Sequence, residues 1–177
     1  MILVSLFAAL TAVGAFIKIP IPYVPFTLQL FFVLLAGAIL GSRLGALSQL
    51  VYVLIGLAGV PVFTQGGGPS YVLQPTFGYL IGFIFCAYIV GLFTENRKEK
   101  NIFTYLWPMY LGVGVVYLLG VAHLYLIMHF LTDQSFTLFK AIQFGFVVCV
   151  VPDLILTGIA ALLANKIVKR VPGRYNL

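Results

Sequence analysis

The chain is 177 residues long, 62% hydrophobic and only 8% charged, with a formal net charge of +6. A water-soluble domain carries about 25% charged residues, and a fold of this length cannot hide so much apolar surface, so lipid must cover part of it. The positive charge does not point to nucleic acid, because the basic residues flank apolar runs and no basic stretch interleaved with aromatics is present to grip phosphates.

The first segment, Met1 to Phe16, carries no charge, and the first basic residue, Lys18, follows it. A secretory signal would have its positive region in front, so this run is read as a first membrane helix. Lys18 to Phe26 reads KIPIPYVPF, and Pro20, Pro22 and Pro25 exclude a helix and favour an extended, stiff loop. A second apolar segment runs from Thr27 to Gly41 and a third from Leu44 to Gly59. Pro61 to Pro75, PVFTQGGGPSYVLQP, is a long uncharged loop. Phe77 to Phe93 is the fourth segment, closed by a solvated turn at Glu95 to Asn101, ENRKEKN. Leu106 to Leu131 is the fifth, followed by a turn at Thr132 to Ser135, TDQS. The last stretch, Ala141 to Ala164, is interrupted by Pro152 and Asp153. Proline suits the first turn of a helix, so the sixth helix is expected to begin near Pro152 and to end near Lys169. Asp153 would then lie where the helix dipole favours its ionised form.

Several segments fall short of the ~20 residues that a lone spanning helix prefers, a deficit that a bundle or local bilayer thinning can absorb. Open strands would leave backbone groups unpaired in lipid, and a barrel would show alternating polar positions that these runs lack. The chain is therefore expected to be an all-α integral membrane protein, a single membrane domain over residues 1–177 with six transmembrane helices. With both termini placed in the cytoplasm, that side holds Arg43, Arg97, Lys98, Lys100, Lys166, Lys169, Arg170 and Arg174, against Lys18 and Lys140 outside. This is the positive-inside pattern. It puts Tyr105 and Trp107 at the inner membrane interface and both long loops on the outer face. Long loops without structure of their own commonly act as lids or binding loops.

Candidate chemistry is sparse. Asp153 is the one acidic residue inside an apolar run, and a membrane-embedded carboxylate is costly unless it is paired or faces a cavity. Gln74 ends the glycine-rich loop and Gln29 follows the proline-rich one; uncharged amides at helix mouths suit a neutral polar ligand, or cap neighbouring backbone. Gly66, Gly67 and Gly68 lack a following Lys-Ser/Thr, so they are not a nucleotide-binding loop; they present backbone amides or simply bend. Ala8 with Ala12, Gly37 with Gly41 and Gly78 with Gly82 are small pairs at a spacing that lets helices approach closely. Cys86 and Cys149 read as packed thiols. His123 and His129 fall on different helix faces, so no shared metal site is expected. No nucleophile with an adjacent base occurs in a recognisable motif, so no enzymatic activity is expected.

Three stretches resemble the BioY family, the substrate-binding components of energy-coupling-factor (ECF) biotin transporters. They are VPFTLQLFFVLLAGAILGSRLGALSQLVYVLIGLAGVPVF (Val24 to Phe63), GGGPSYVLQPTFGYLIGF (Gly66 to Phe83) and VPDLI (Val151 to Ile155). The resemblance implies an ECF S-component-like bundle in the bacterial plasma membrane, with an outward-facing vitamin pocket and no ATPase activity of its own. Its implied partners are biotin, a transmembrane coupling protein and two ABC-type ATPases, the coupling protein docking on Ala8 and Ala12. It implies that Asp153 and Gln74 meet the ureido ring, with Tyr79, Gln29, Phe63, Tyr71 and Thr27 completing the pocket. The family's usual lysine three residues after the aspartate is Leu156 here. Lys18, Lys140 and the amides of Gly66 to Gly68 are then alternative partners for a carboxylate, and lipoate is an alternative ligand. A stand-alone facilitator or channel is a further alternative; it would want rings of polar residues along a pore.

Overall fold

The computed structural model describes residues 1–97, 101–132 and 136–170. Six helices carry it. They are α1 (Ile2–Phe16), α2 (Gln29–Leu40), α3 (Ser42–Leu57), α4 (Phe77–Thr94), α5 (Ile102–Leu131) and α6 (Leu138–Arg170). Three of them, α4 to α6, are long and apolar enough to cross a membrane; α1 to α3 are shorter apolar helices. Side chains such as Leu6, Leu50, Phe85, Leu118 and Ile155 are exposed, as a lipid-facing surface requires.

Packing follows the small residues. α4 lies most extensively against α5, α2 bridges α4 and α6, and α1 covers α2 and α3. A Cβ on Gly82 would stand 2.8 Å from the Val116 Cα, and one on Gly112 2.7 Å from the Cys86 Sγ, so glycines on both partners set the close approach of α4 and α5. Gly37 of α2 sits against Ala87 and Val90 of α4 in the same way. Gly41, with φ of 83°, makes the turn from α2 into α3.

The charged turn after α4 is not simply solvated. The Glu95 carboxylate accepts from the Ser42 backbone N–H at 2.7 Å and from the Ser42 hydroxyl at 3.0 Å, capping α3. An acidic group there satisfies an amide that the helix itself leaves unpaired. Asn101 caps α5 through the Thr104 N–H at 2.9 Å. Lys98, Lys100 and Arg174 of the charge count, and 133–135 of the second turn, lie outside the described residues. Trp107 is exposed and packs on Phe93, whereas Tyr105, expected beside it at the interface, is fully buried. Two residues apart on a helix means nearly opposite faces.

The last helix departs most from expectation. It begins at Leu138 and runs unbroken to Arg170, with Pro152 inside it. A π-helical turn, Gln143–Val147, precedes the α-helical part that starts at Val148. Val148 is the residue whose carbonyl the missing Pro152 N–H would have bonded, so the proline falls where the helix is already irregular. Asp153 therefore lies about four turns into the helix, and an N-terminal dipole does not stabilise it.

At one end of the bundle the two long loops meet. Lys18–Ile19 (β1) pairs antiparallel with Phe26–Thr27 (β2), so the three prolines sit in the loop of a small hairpin. The glycine-rich loop contains a Phe63–Gly66 bridge and a 3₁₀ turn, Pro69–Leu73. The Lys18 ammonium joins the two loops by donating to the Thr64 carbonyl at 2.6 Å.

Candidate binding site

A cavity of about 60 Å³ lies beneath these loops. The hairpin contributes Val24 to Thr27, α2 contributes Gln29 and Leu30, and the glycine-rich loop contributes Thr64 and Tyr71. Thr76, Tyr79, Leu80 and Phe83 come from α4 and its cap, Val116 and Tyr117 from α5, and Cys149 and Asp153 from α6. Its walls are mostly apolar with a few convergent polar groups, the usual make-up of a small-molecule site.

Asp153 is 7% exposed and its carboxylate accepts a short hydrogen bond from the Tyr117 hydroxyl. Thr157 donates to the Asp153 main-chain oxygen at 2.7 Å. Tyr117 thus supplies the polar partner that a carboxylate in lipid requires. The Tyr117 ring also stands edge-on to Tyr79 and Phe146. Tyr79 donates to the Gly145 carbonyl at 2.8 Å, in the π-helical turn, and the missing side chain of Gly120 leaves room for its ring. The widened turn thereby fixes one wall of the cavity to another.

On the opposite side the donor pattern can be deduced. The Tyr52 hydroxyl lies 3.0 Å from the Val62 carbonyl and 2.7 Å from Gln29 Nε2. A carbonyl can only accept, so the Tyr52 proton goes to Val62 and its oxygen accepts from the Gln29 amide N–H. Gln29 Oε1 is then turned to Thr27, whose hydroxyl donates to it at 3.1 Å. Gln29 and Asp153, both with acceptor oxygens in their side chains, line the cavity. A chain of hydroxyls, Thr64 to Tyr71 at 3.0 Å and Tyr71 to Thr76 at 3.1 Å, borders it as well.

Of the residues singled out in the sequence, Asp153, Tyr79, Gln29, Tyr71 and Thr27 line this cavity. Gln74 and Phe63 do not. The Gln74 main-chain oxygen accepts from His123 Nε2 at 3.2 Å, and Phe63 is packed between Tyr52 and Tyr71 in the space left by Gly56. The amides of Gly66 and Gly68 are bonded to Phe63 and Gly56 carbonyls, so these glycines act as a bend. Sequence reasoning missed Tyr117, Thr64 and Thr76. His129 Nδ1 donates to the Phe136 carbonyl at 3.2 Å, remote from His123's partner, and no cluster of three metal-ligating side chains occurs among the described residues.

A second concavity, about 300 Å³, opens on the bundle's side between α1 and α3, with Ser5, Ala8, Ala9 and Ala12 on one wall and Val51, Tyr52 and Ile55 on the other.

Comparison with known proteins shows what the chain is similar to. A family model described as the BioY family matches residues 1–173. A probable biotin transporter BioY of Lysinibacillus sphaericus is 46% identical over 169 residues, covering 96% of this chain and 86% of that protein. The biotin transporter BioY of Thermotoga maritima is 43% identical, with 93% of each covered. The crystal structure of the S-component for biotin from an ECF-type ABC transporter superposes with a TM-score of 0.82 at 26% identity, covering 95% of this chain and 89% of that one.

Proposed function

This chain belongs to the BioY family, and from that premise we propose that the cavity beside Asp153 captures biotin on the outer side of the cell. The chain is a multi-pass membrane protein and the substrate-binding component of biotin uptake. The observation that carries the site assignment is the pairing of two buried acceptors, Asp153 and Gln29, around one apolar cavity. Biotin presents a ureido ring with two N–H groups on an apolar bicycle. One N–H would meet Asp153 and the other Gln29 Oε1, while Tyr79, Tyr71 and Phe83 pack the bicycle. Lipoate has no N–H donor and would add no hydrogen bond to those that Asp153 and Gln29 Oε1 already accept from Tyr117 and Thr27, which favours biotin.

Pockets for drug-sized ligands are usually 300–1,000 Å³, so a bicycle enters only as the hairpin and Tyr71 move outward. That motion would break the Lys18 bond to the Thr64 carbonyl and the Tyr71 hydroxyl contacts with Thr64 and Thr76. The hairpin rests on the rest of the protein through ring contacts of Tyr23 with Phe136 and Phe144, whereas α4 and α5 are held by close glycine contacts. The basic residues Arg43, Arg97, Lys166, Lys169 and Arg170 gather at the bundle end opposite the loops, which supports cytoplasmic termini and an outward cavity.

Import would need energy from partners. A transmembrane coupling protein with two ABC-type ATPases is the arrangement in keeping with the ECF-type relative. The groove that Ala8 and Ala12 line suits docking of such a coupling helix, because small side chains admit close helix approach.

Native mass spectrometry of the chain in mild detergent tests the ligand assignment. The expected spectrum shows a single adduct of biotin mass that biotin exchanges and lipoate does not. Stable retention of a different molecule would overturn it.

A further inference from the structure

The cavity lining contains one charged side chain, Asp153, and it is acidic. Biotin has a carboxylate at the end of its aliphatic tail, which needs a cation or amides outside that lining. The amides of Gly66 and Gly68 are already bonded within the protein, and Gly67 between them is packed tightly against the Val60 and Gly56 carbonyls. Lys18 is differently placed. It is the cross-strand neighbour of Thr27, which lines the cavity, and its ammonium donates at 2.6 Å to the carbonyl of Thr64, which also lines it. The ammonium is thus held at the rim, between the two loops. An ammonium carries three N–H groups, and the Thr64 bond occupies one, leaving donors on an exposed side chain.

We propose that Lys18 is the carboxylate-recognising residue of this site, holding the ligand's tail at the mouth while its ring lies against Asp153 and Gln29. This rests on the biotin reading and extends it to a specificity rule: the site takes an amphipathic ligand with N–H donors at one end and an anion at the other. The Thr64 contact also makes Lys18 a tie between the loops, so an anion on the same ammonium would hold the mouth closed over the ligand.

The test compares biotin with biotinamide, which keeps the ring and tail and lacks the charge. Affinities are measured by titration calorimetry on the full chain in detergent. Wild type is expected to prefer biotin by about tenfold, the worth of a charge-assisted hydrogen bond. Lys18→Gln should abolish that preference by weakening biotin and leaving biotinamide within about twofold, and Lys18→Arg should restore much of it. Because Lys18 is exposed, the wild-type preference should also shrink as salt is raised. Equal weakening of both ligands by Lys18→Gln would reduce Lys18 to a loop tie and overturn the proposal. So would an unchanged preference, or its loss in Lys140→Gln instead. Failure of wild type to bind either ligand would strike the biotin reading itself, a result distinguishable from all of these.

Discussion

The α4–α5 pair and α6 are both apolar enough to span a membrane, yet they are built on opposite plans. The apolar window of α4 is 61% buried, that of α5 39% and that of α6 28%. Glycines on both members of the α4–α5 pair bring the helices into close contact, and Tyr79 and Tyr117 project from that fixed wall. Both α5 and α6 contain a π-helical turn and an internal proline (Pro108 in α5), but only in α6 do they lie within about ten residues of a buried carboxylate. The α-helical stretches that carry Tyr79 and Tyr117 supply the rigid wall of the site, and the helix with irregular backbone upstream of Asp153 supplies its charge. That division makes sense in lipid, where an irregular helix is tolerated when it is buried in protein or borders a cavity.

The largest expected effect tests the rigid wall. Gly82→Leu would drive a side chain into the Val116 backbone. Overpacking of this kind costs about 1–3 kcal/mol or more, so a clear drop in melting temperature and loss of monodisperse protein on size exclusion are expected; full stability would mean that the α4–α5 contact is looser than described. Tyr117→Phe acts where the two walls touch. It removes the Asp153 partner while keeping the ring, so biotin affinity should change by about fivefold or more, and the ligand-free protein should melt lower because a buried carboxylate loses its donor. An unaltered affinity would separate Tyr117 from the site. Tyr52→Phe leaves Val62 and Gln29 without their shared hydroxyl and frees the Gln29 amide to rotate. Here the expected loss of affinity is about threefold, with discrimination against a ligand N-methylated on one ureido nitrogen relaxed. The smallest effect belongs to Pro152→Ala, which restores a backbone N–H at a point where the helix is already irregular. Affinity should stay within about twofold; a large change would show that the proline itself aims Asp153.

The same contrast separates what the sequence reveals from what it hides. Six apolar runs between proline-rich, glycine-rich and charged breaks become six helices, because in a bilayer hydropathy and hydrogen-bond satisfaction leave few alternatives. The start of α6 was misplaced for a physical reason. Pro152 looks like a helix start because proline terminates most soluble helices, but a π-helical turn upstream lets it sit inside. Asp153 was legible as a lone acid among apolar residues. Tyr117 was not, since one tyrosine among ten in apolar surroundings carries no pattern, and its importance comes from facing Asp153 across the bundle. Phe63 adjoins the cavity residue Thr64 and Gln74 lies two residues before Thr76, but neighbours in a loop point different ways, and only the fold shows that neither lines the cavity. Glu95 read as part of a solvated charge run because its partner, Ser42, lies far away in the chain.

The binding of biotin to Asp153→Ala, measured by titration calorimetry beside wild type, bears most directly on the role of the buried carboxylate. At least about a tenfold loss of affinity is expected, with the folded bundle retained, because a charged hydrogen-bond partner of the ligand disappears. Equal affinity in the two proteins would mean that the ligand sits elsewhere and that Asp153 serves only to pair with Tyr117.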